Sequence, residues 1–133
     1  MNFLELNNLT VVRRTLGELP NIPYQKIKDA ILGKKYLLDI SFVNTATSTE
    51  LHIEHKKKPG PANTLAFPYS ESEGEIIMHL ETIRRQAALY ERSYRQHLLF
   101  LSIHSMLHLL GYTHGDEMET QEEKFYTRFL KEI

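Results

Sequence analysis

Three histidines lie close together in the segment HSMLHLLGYTH, which covers residues 104–114. His104 and His108 are four residues apart in a leucine-rich stretch, so a helix there places both rings on one face. A buried imidazole without a hydrogen-bond partner costs about 1–3 kcal/mol. A divalent metal ion bound by both rings removes that cost, and the spacing therefore predicts a metal site.

A third ring reaches the same point after a reversal of the chain. Gly111 stops the predicted helix in a left-handed conformation, and His114 follows three residues later. The pattern H-x-x-x-H-x-x-G-x-x-H predicts metal ligands at His104, His108 and His114. Because the chain has no cysteine, we expect one zinc ion with a fourth position open to water or substrate, although nickel or iron also fits these ligands. Such an ion lowers the pKa of bound water to about 7 and polarises a bound oxyanion.

Ser105 argues strongly against one familiar zinc chemistry. Zinc peptidases of the metzincin kind carry H-E-x-x-H-x-x-G-x-x-H, in which the glutamate is the general base. Here the residue after the first histidine is Ser105. A serine hydroxyl does not take a proton from zinc-bound water at neutral pH. An ordinary metalloprotease is therefore disfavoured.

Other elements must position this segment. Alternating or β-favouring apolar residues predict strands, and helical periodicity with capping residues predicts helices. The predicted strands cover residues 2–7, 36–43, 63–69 and 74–80, and the predicted helices cover about 23–33, 49–57, 81–91, 94–110 and 118–131. The fold class is therefore α+β, a small sheet covered by helices, with the metal site on a central helix and the turn after it.

Length and composition are those of one globular domain over residues 1–133, with 41% hydrophobic and 25% charged residues. The N-terminal MNFLELNNLT lacks the pattern of a secretory signal, and the apolar-rich stretch Leu98–Leu110 is too short to cross a membrane. We therefore expect a cytoplasmic protein without a membrane partner. The net charge of -1 does not by itself indicate a nucleic-acid partner, but lysines cluster locally at Lys56–Lys58.

The histidine segment resembles the signature H-G-x-L-H-L-x-G-Y-D-H of the YbeY family, the metal-dependent endoribonucleases of ribosomal RNA maturation. All three histidines, two leucines, Gly111 and Tyr112 agree with it, while Ser105 and Thr113 replace a glycine and an aspartate. Other segments align with further family motifs: Leu51–Lys56 with L-N-x-x-Y-R, Pro61–Phe67 with P-T-D/N-V-L-S/T-F, Gly74–Ile77 with G-D-I-x, and Gln86–Ala87, Met118 and Glu122 with later helices. The resemblance covers about residues 36–130.

This resemblance implies a fold and an activity. The family fold is a mixed sheet of about four strands whose covering helices form a cleft over the metal. The implied activity is single-strand-specific, metal-dependent endoribonuclease cleavage, in which zinc-activated water attacks a phosphodiester. It acts in maturation of the small-subunit ribosomal RNA 3′ end and in ribosome quality control. The implied partners are ribosomal or other single-stranded RNA, and the ribosome or ribosome-associated proteins.

The family's functionally important arginine falls on Lys56, so the resemblance implies that Lys56 and His114 are catalytic. Lysine keeps the positive charge of arginine but lacks its planar, bidentate fork. Lys56, helped by Lys57 and Lys58, would bind substrate by neutralising a phosphate as charge builds up in the transition state. His52 and His55 are candidates for proton transfer, or else polar residues on a surface helix.

Two other functions stay open. One is a zinc hydrolase of a peptide or small amide, with a base supplied from elsewhere, such as Glu117. The other is a non-enzymatic ribosome-binding factor in which the zinc is structural. If the chain binds RNA, Tyr69 and Tyr112 are candidates for stacking on unpaired bases, although aromatic residues in strands and turns more often belong to the core.

Overall fold

The computed structural model describes the backbone of residues 2–6 and the complete residues 8–133; position 7, the last of the predicted first strand, lies outside the described residues. The strands are β1 (Asn2–Leu6), β2 (Leu9–Arg13), β3 (Leu37–Phe42), β4 (Thr64–Ser70) and β5 (Glu73–Met78). The α-helices are α1 (Tyr24–Ile31), α2 (Thr45–Lys56), α3 (Leu80–Ala87), α4 (Tyr94–Leu109) and α5 (Asp116–Leu130). Among the described residues, no helix has both the length and the apolar character needed to cross a membrane.

The strands form one mixed sheet in the order β1-β2-β3-β5-β4. β3 runs parallel to β2 and β5, whereas the outer pairs β1–β2 and β4–β5 are antiparallel. The predicted α+β class is confirmed, with five strands where about four were expected. The additional strand is β2, whose sequence LTVVR is rich in β-branched residues but too short to show a clear alternation.

Hydrophobic clusters lie on both faces of the sheet. Alternate residues of β3, Leu38, Ile40 and Phe42, belong to the larger cluster, which the sheet shares with α1, α4 and α5. Ile77 of β5 belongs instead to a smaller cluster, against which Leu51 of α2 packs. Helices therefore cover both faces, and α2 reaches the metal-site edge from the face opposite to α4.

α4 is the central helix. Ser93 and Gln96 form a capping box at its start, with hydrogen bonds of 2.9 and 3.1 Å between the side chain of each and the backbone of the other. The helix packs against α1, α3, α5 and β4. The predicted helix 94–110 and its Ser93 cap are confirmed. Because neighbours hold this helix on several sides, the side chains that it turns toward the cleft have fixed positions.

α2 begins earlier than predicted. Apart from Ala46, the sequence TATST consists of threonine and serine, which are weak helix formers, and this hid the start of the helix at Thr45. The missed signal is Asn44, whose side chain accepts a hydrogen bond of 2.8 Å from the Thr47 N–H as an N-cap. The helix ends at Lys56, and Lys57 follows in a left-handed conformation with φ 56°. The chain therefore changes direction at Lys57, between Lys56 and Lys58.

Gly74 in β5 allows close packing against Tyr36. A Cβ atom at position 74 would overlap the Tyr36 hydroxyl and lie 2.9 Å from Leu109 Cδ2. We expect Gly74→Ala to lower the free energy of unfolding by about 1–3 kcal/mol, as measured by urea denaturation. The Tyr36 hydroxyl has no hydrogen-bond partner among the described residues. Tyr36→Phe removes this hydroxyl, so Gly74→Ala should lower the free energy of unfolding less in Tyr36→Phe than in wild type. An equal decrease in the two proteins would contradict the proposed overlap.

His97 of α4 makes stability depend on pH. It is 2% exposed, and its Nδ1 accepts a hydrogen bond of 3.3 Å from Arg92. Burial, and then the charge of Arg92, lowers its pKa to about 4. At a pH between the unfolded-state pKa of about 6.5 and this lowered value, the unfolded chain binds a proton that the folded chain does not. The free energy of unfolding therefore falls by up to about 3 kcal/mol as the pH is lowered through this range. Urea denaturation at several pH values should show that the free energy of unfolding falls less at acid pH in His97→Phe than in wild type. The control His55→Phe, at an exposed site, should show the same decrease as wild type.

Candidate metal centre

α4 ends in a turn that brings the third histidine back toward the first two. The Gly111 N–H donates to the His108 carbonyl at 2.9 Å, and the Tyr112 N–H donates to the Leu107 carbonyl at 3.2 Å. This pair of bonds defines a Schellman motif, which requires a left-handed residue. Gly111 supplies it with φ 99°. The predicted role of Gly111 is therefore confirmed.

The three predicted ligands converge. One ring nitrogen from each of His104, His108 and His114 lies within 4.8 Å of the other two. The Nε2 atoms of His104 and His108 are 3.1 Å apart. Two nitrogens on a tetrahedral zinc ion, each bonded at 2.0–2.1 Å, are about 3.3 Å apart. The spacing of the rings therefore fits a single ion.

Hydrogen bonds to the other ring nitrogens determine which atoms are free to bind metal. His108 Nδ1 lies 2.9 Å from the Tyr112 carbonyl, which can only accept, so we assign the proton to Nδ1. His104 Nδ1 lies 2.6 Å from Glu122 Oε2, and the carboxylate likewise accepts. In the neutral rings, both Nε2 atoms are then bare acceptors that face each other. A shared cation stabilises this arrangement, and a carboxylate or carbonyl behind each ligand is typical of metal-bound histidine.

The electrostatic surroundings of His108 favour the form that binds metal. Burial is the largest effect and lowers the pKa of His108, and the charges of His104, His114 and Lys56 lower it further. The hydrogen bond to the Tyr112 carbonyl opposes this shift. Since only a neutral imidazole can ligate a metal ion, the lowered pKa reduces competition from protons.

A cleft of about 860 Å³ opens over the three histidines. Its walls come from α2 and the loop after it, the start of β4, the end of α4 and the turn that follows. The lining residues include His52, Lys56, Lys58, Asn63, Thr64, Gln86, Ser105 and Tyr112, besides the three histidines. The cleft is within the usual size range of sites that bind small ligands or parts of larger ones.

The three lysines predicted to bind substrate are placed differently. Lys56 and Lys58 line the cleft, whereas Lys57 is not part of its lining. Lys57 is the left-handed residue that caps α2, so the chain turns there. The roles of all three lysines, and of His114 in catalysis, remain predictions.

The two proton-transfer candidates also differ. His52 lines the cleft, and its Nδ1 lies 3.0 Å from the Gly60 carbonyl. His55 is exposed and packs edge-on against the Phe67 ring, with 4.8 Å between ring centroids. The geometry thus favours His52 over His55 as a residue that could contact substrate.

The stacking candidates Tyr69 and Tyr112 separate in the same way. Tyr112 lines the cleft. Tyr69 is 61% exposed, is not part of that lining, and donates its hydroxyl to Glu75 at 2.6 Å.

Ser105 is buried beside the site and lies 2.6 Å from the Thr64 hydroxyl, so it connects α4 to β4. Glu117 is not part of the cleft lining; it lines an adjoining concavity around the turn before α5, which shares His114 with the cleft.

Sequence reasoning missed the role of Glu122. This residue is buried on α5, where Met118, Phe125 and Phe129 share the buried face. A glutamate at helical spacing within such an apolar stripe needs a buried partner, and that spacing is a signal that could have identified it. Its partner is the ring of His104, at 2.6 Å.

We expect Glu122→Gln to weaken metal binding about 10- to 100-fold, because the carboxylate that orients and polarises His104 is lost. Titration against a chromophoric chelator measures the dissociation constant. Glu123→Gln is a matched control, since Glu123 is exposed on the same helix. Unchanged metal affinity in Glu122→Gln would show that the carboxylate does not support the ligand.

Comparison with known proteins gives consistent matches. A sequence model described as endoribonuclease YbeY matches residues 13–130. The endoribonuclease YbeY of Polynucleobacter asymbioticus is 32% identical, with 82% of this chain and 79% of the relative covered. That of Halalkalibacterium halodurans is 31% identical, with 90% of this chain and 80% of the relative covered. The solution structure of a Thermotoga maritima protein has the same fold, with a TM-score of 0.58 at 19% identity over 93% of this chain and 90% of that chain.

Proposed function

Because this chain belongs to the YbeY endoribonuclease family, we propose that it is a metal-dependent endoribonuclease that cleaves single-stranded RNA in ribosomal RNA maturation. The observation that carries the proposal is the set of converging histidines in an open cleft that also contains Lys56. We further propose the 3′ end of small-subunit ribosomal RNA as the substrate region, and a role in ribosome quality control.

Zinc is the proposed metal, held by His104, His108 and His114. The donor set supports this choice, because three neutral imidazoles without thiolate are typical of zinc sites that keep one position open. When bound, such an ion lowers the pKa of water and polarises a phosphate oxygen. We propose His114, the exposed member of the three, as catalytic through its place in the open cleft.

The remaining chemistry belongs to side chains in the cleft. Lys56 is the proposed catalytic cation, whose ammonium neutralises a phosphate oxygen as negative charge accumulates. Lys58 binds the neighbouring backbone, and Lys57 adds charge at longer range. The His52 Nδ1 proton is directed to the Gly60 carbonyl, which leaves Nε2 as an acceptor for a substrate or water proton.

Ribosomal RNA as the substrate brings the protein into contact with ribosomes. We propose the ribosome or ribosome-associated proteins as its partners and the cytoplasm as its location.

A cleavage assay with two RNA forms tests the proposed function. The purified chain is incubated with a labelled single strand and with the same strand in a duplex, with chelator and after addition of zinc. We expect cleavage of the single strand only, its loss with chelator and its recovery with zinc. Cleavage of a peptide pool that is lost in His108→Ala, with both RNAs intact, would indicate an amide hydrolase. Ribosome binding without any cleavage would indicate a structural metal.

A further inference from the structure

Three ring-bearing side chains follow one another along α4, starting at the metal site. His108, His104 and Phe100 are spaced four residues apart and therefore lie on one helix face. The rings of Phe100 and His104 are stacked, with 6.3 Å between centroids and 22° between planes. Arg92, just before the helix, places its guanidinium carbon 3.8 Å from the Phe100 centroid.

Two tyrosines flank this arginine. The guanidinium carbon of Arg92 lies 5.2 Å from the Tyr126 centroid and 5.4 Å from the Tyr90 centroid. Tyr126, on α5, packs edge-on against Phe100 at 5.6 Å. We call Tyr90, Arg92, Phe100 and Tyr126 the aromatic row.

The outer end of the aromatic row is accessible but held in place. Tyr90 is 59% exposed, and its ring stacks on His97 with 5.1 Å between centroids and 18° between planes. Because one face of the ring is covered by His97, the exposure lies largely on the other side. Glu91 follows in a left-handed conformation with φ 55°, a strained state for a residue other than glycine. The Arg92 N–H donates to the Ala87 carbonyl at 3.0 Å and fixes this turn.

We propose that the aromatic row is a nucleobase-binding subsite, on which an unpaired base near the cleaved phosphodiester stacks against Tyr90 and Arg92. Tyrosine rings and arginine planes are the groups on which proteins stack the splayed bases of single-stranded RNA. The row shares a ring contact with the metal ligand His104, so an RNA strand in the cleft can continue onto it. This inference rests on the proposed function, because it takes RNA as the occupant of the cleft.

The aromatic row consists mostly of neutral rings, which suit a base better than a phosphate. Arg92 is the cation of the row, and one of its N–H groups is already directed to His97. The carboxylate of Glu122 lies against His104, the ring on which Phe100 stacks. Stacking on neutral rings is compatible with this balance. A base-paired strand keeps its bases inside the helix, so the subsite also explains a preference for single strands.

Single-turnover cleavage with zinc-loaded protein tests the subsite. We expect Tyr90→Ala to raise the protein concentration at half-maximal rate about 5- to 20-fold, with little change in the maximal rate, because stacking contributes to binding and not to bond cleavage. Tyr90→Phe keeps the ring and should stay within about 2-fold of wild type. Tyr69→Ala is the matched control, since Tyr69 is 61% exposed but lies outside both the cleft lining and the aromatic row.

Substrates with one abasic nucleotide identify the base. An RNA with an abasic position close to the cut should bind wild type more weakly than the intact RNA does. It should bind Tyr90→Ala as well as the intact RNA does, because removing either the base or the ring removes the same contact. A Tyr90→Ala variant that binds every RNA as wild type does would overturn the subsite and leave the proposed function intact. The subsite would also be overturned if wild type lost the same affinity for every abasic RNA, whatever the abasic position. A loss of affinity in Tyr90→Ala that accompanies a lowered melting temperature of the protein would overturn it as well. Failure of the wild type to cleave any RNA would overturn the proposed function and the subsite with it.

Discussion

Replacing His108 with alanine is expected to remove the bound metal and to lower the rate of RNA cleavage by at least about 10³-fold. His108 supplies one of the three converging nitrogens, and the Tyr112 carbonyl holds its ring in position at 2.9 Å. The remaining two rings cannot hold a divalent ion in an open tetrahedral site. Metal content by elemental analysis and single-turnover cleavage measure the two losses together.

The same substitution has a consequence for stability. An ion that binds only the folded chain stabilises it by about 2.7 kcal/mol at 100 times the dissociation constant. Zinc should therefore raise the melting temperature of wild type but not of His108→Ala. His55→Ala is the control, because this exposed histidine lies outside the cleft lining and should keep both metal and activity. Chelator-resistant cleavage by His108→Ala would contradict a catalytic metal.

Replacing Lys56 with alanine is expected to lower the maximal cleavage rate about 10²- to 10³-fold while metal content stays unchanged. Lys56 lies in the cleft lining, and in the proposed mechanism its charge acts on the phosphate where negative charge develops. Lys56→Arg should retain most of the rate, since a guanidinium keeps the charge and adds a bidentate fork. Single-turnover kinetics with saturating protein separate this rate effect from weaker binding.

Lys57→Ala is the matched control for Lys56→Ala. Both residues are exposed lysines at the end of α2, but Lys57 lies outside the cleft lining. We expect Lys57→Ala to change only the affinity for RNA, slightly and in a salt-dependent way, because distant exposed charges are screened. Equal rate losses in the two variants would mean that bulk charge, and not a positioned ammonium, accounts for the effect.

The convergence of the three histidines could be predicted because their arrangement is local. A helix places His104 and His108 on one face by spacing alone, and a glycine that ends the helix returns His114 to the same point. The fold adds contacts that residue spacing alone cannot predict. The same turn that returns the chain also places the Tyr112 carbonyl against His108 Nδ1, so helix termination and ligand orientation depend on one glycine.

Other features depend on contacts between distant parts of the chain. Glu122 meets His104 across 18 residues, and only the packing of α5 on α4 brings them together. Lys56 and Lys58 line the cleft and Lys57 does not, and this difference depends on the residue at which α2 ends. Helix ends are set by capping geometry. β2 was missed because its short buried run gains its pairing from β1 and β3 rather than from its own pattern.

Anomalous diffraction from a crystal of the zinc-loaded chain provides the most direct test of the metal centre. The arrangement predicts one anomalous peak per chain, about 2.0–2.1 Å from a ring nitrogen of His104, His108 and His114, with a non-protein ligand at the fourth position. A peak elsewhere, or a fourth protein side chain that closes the coordination shell, would contradict a catalytic metal at these histidines.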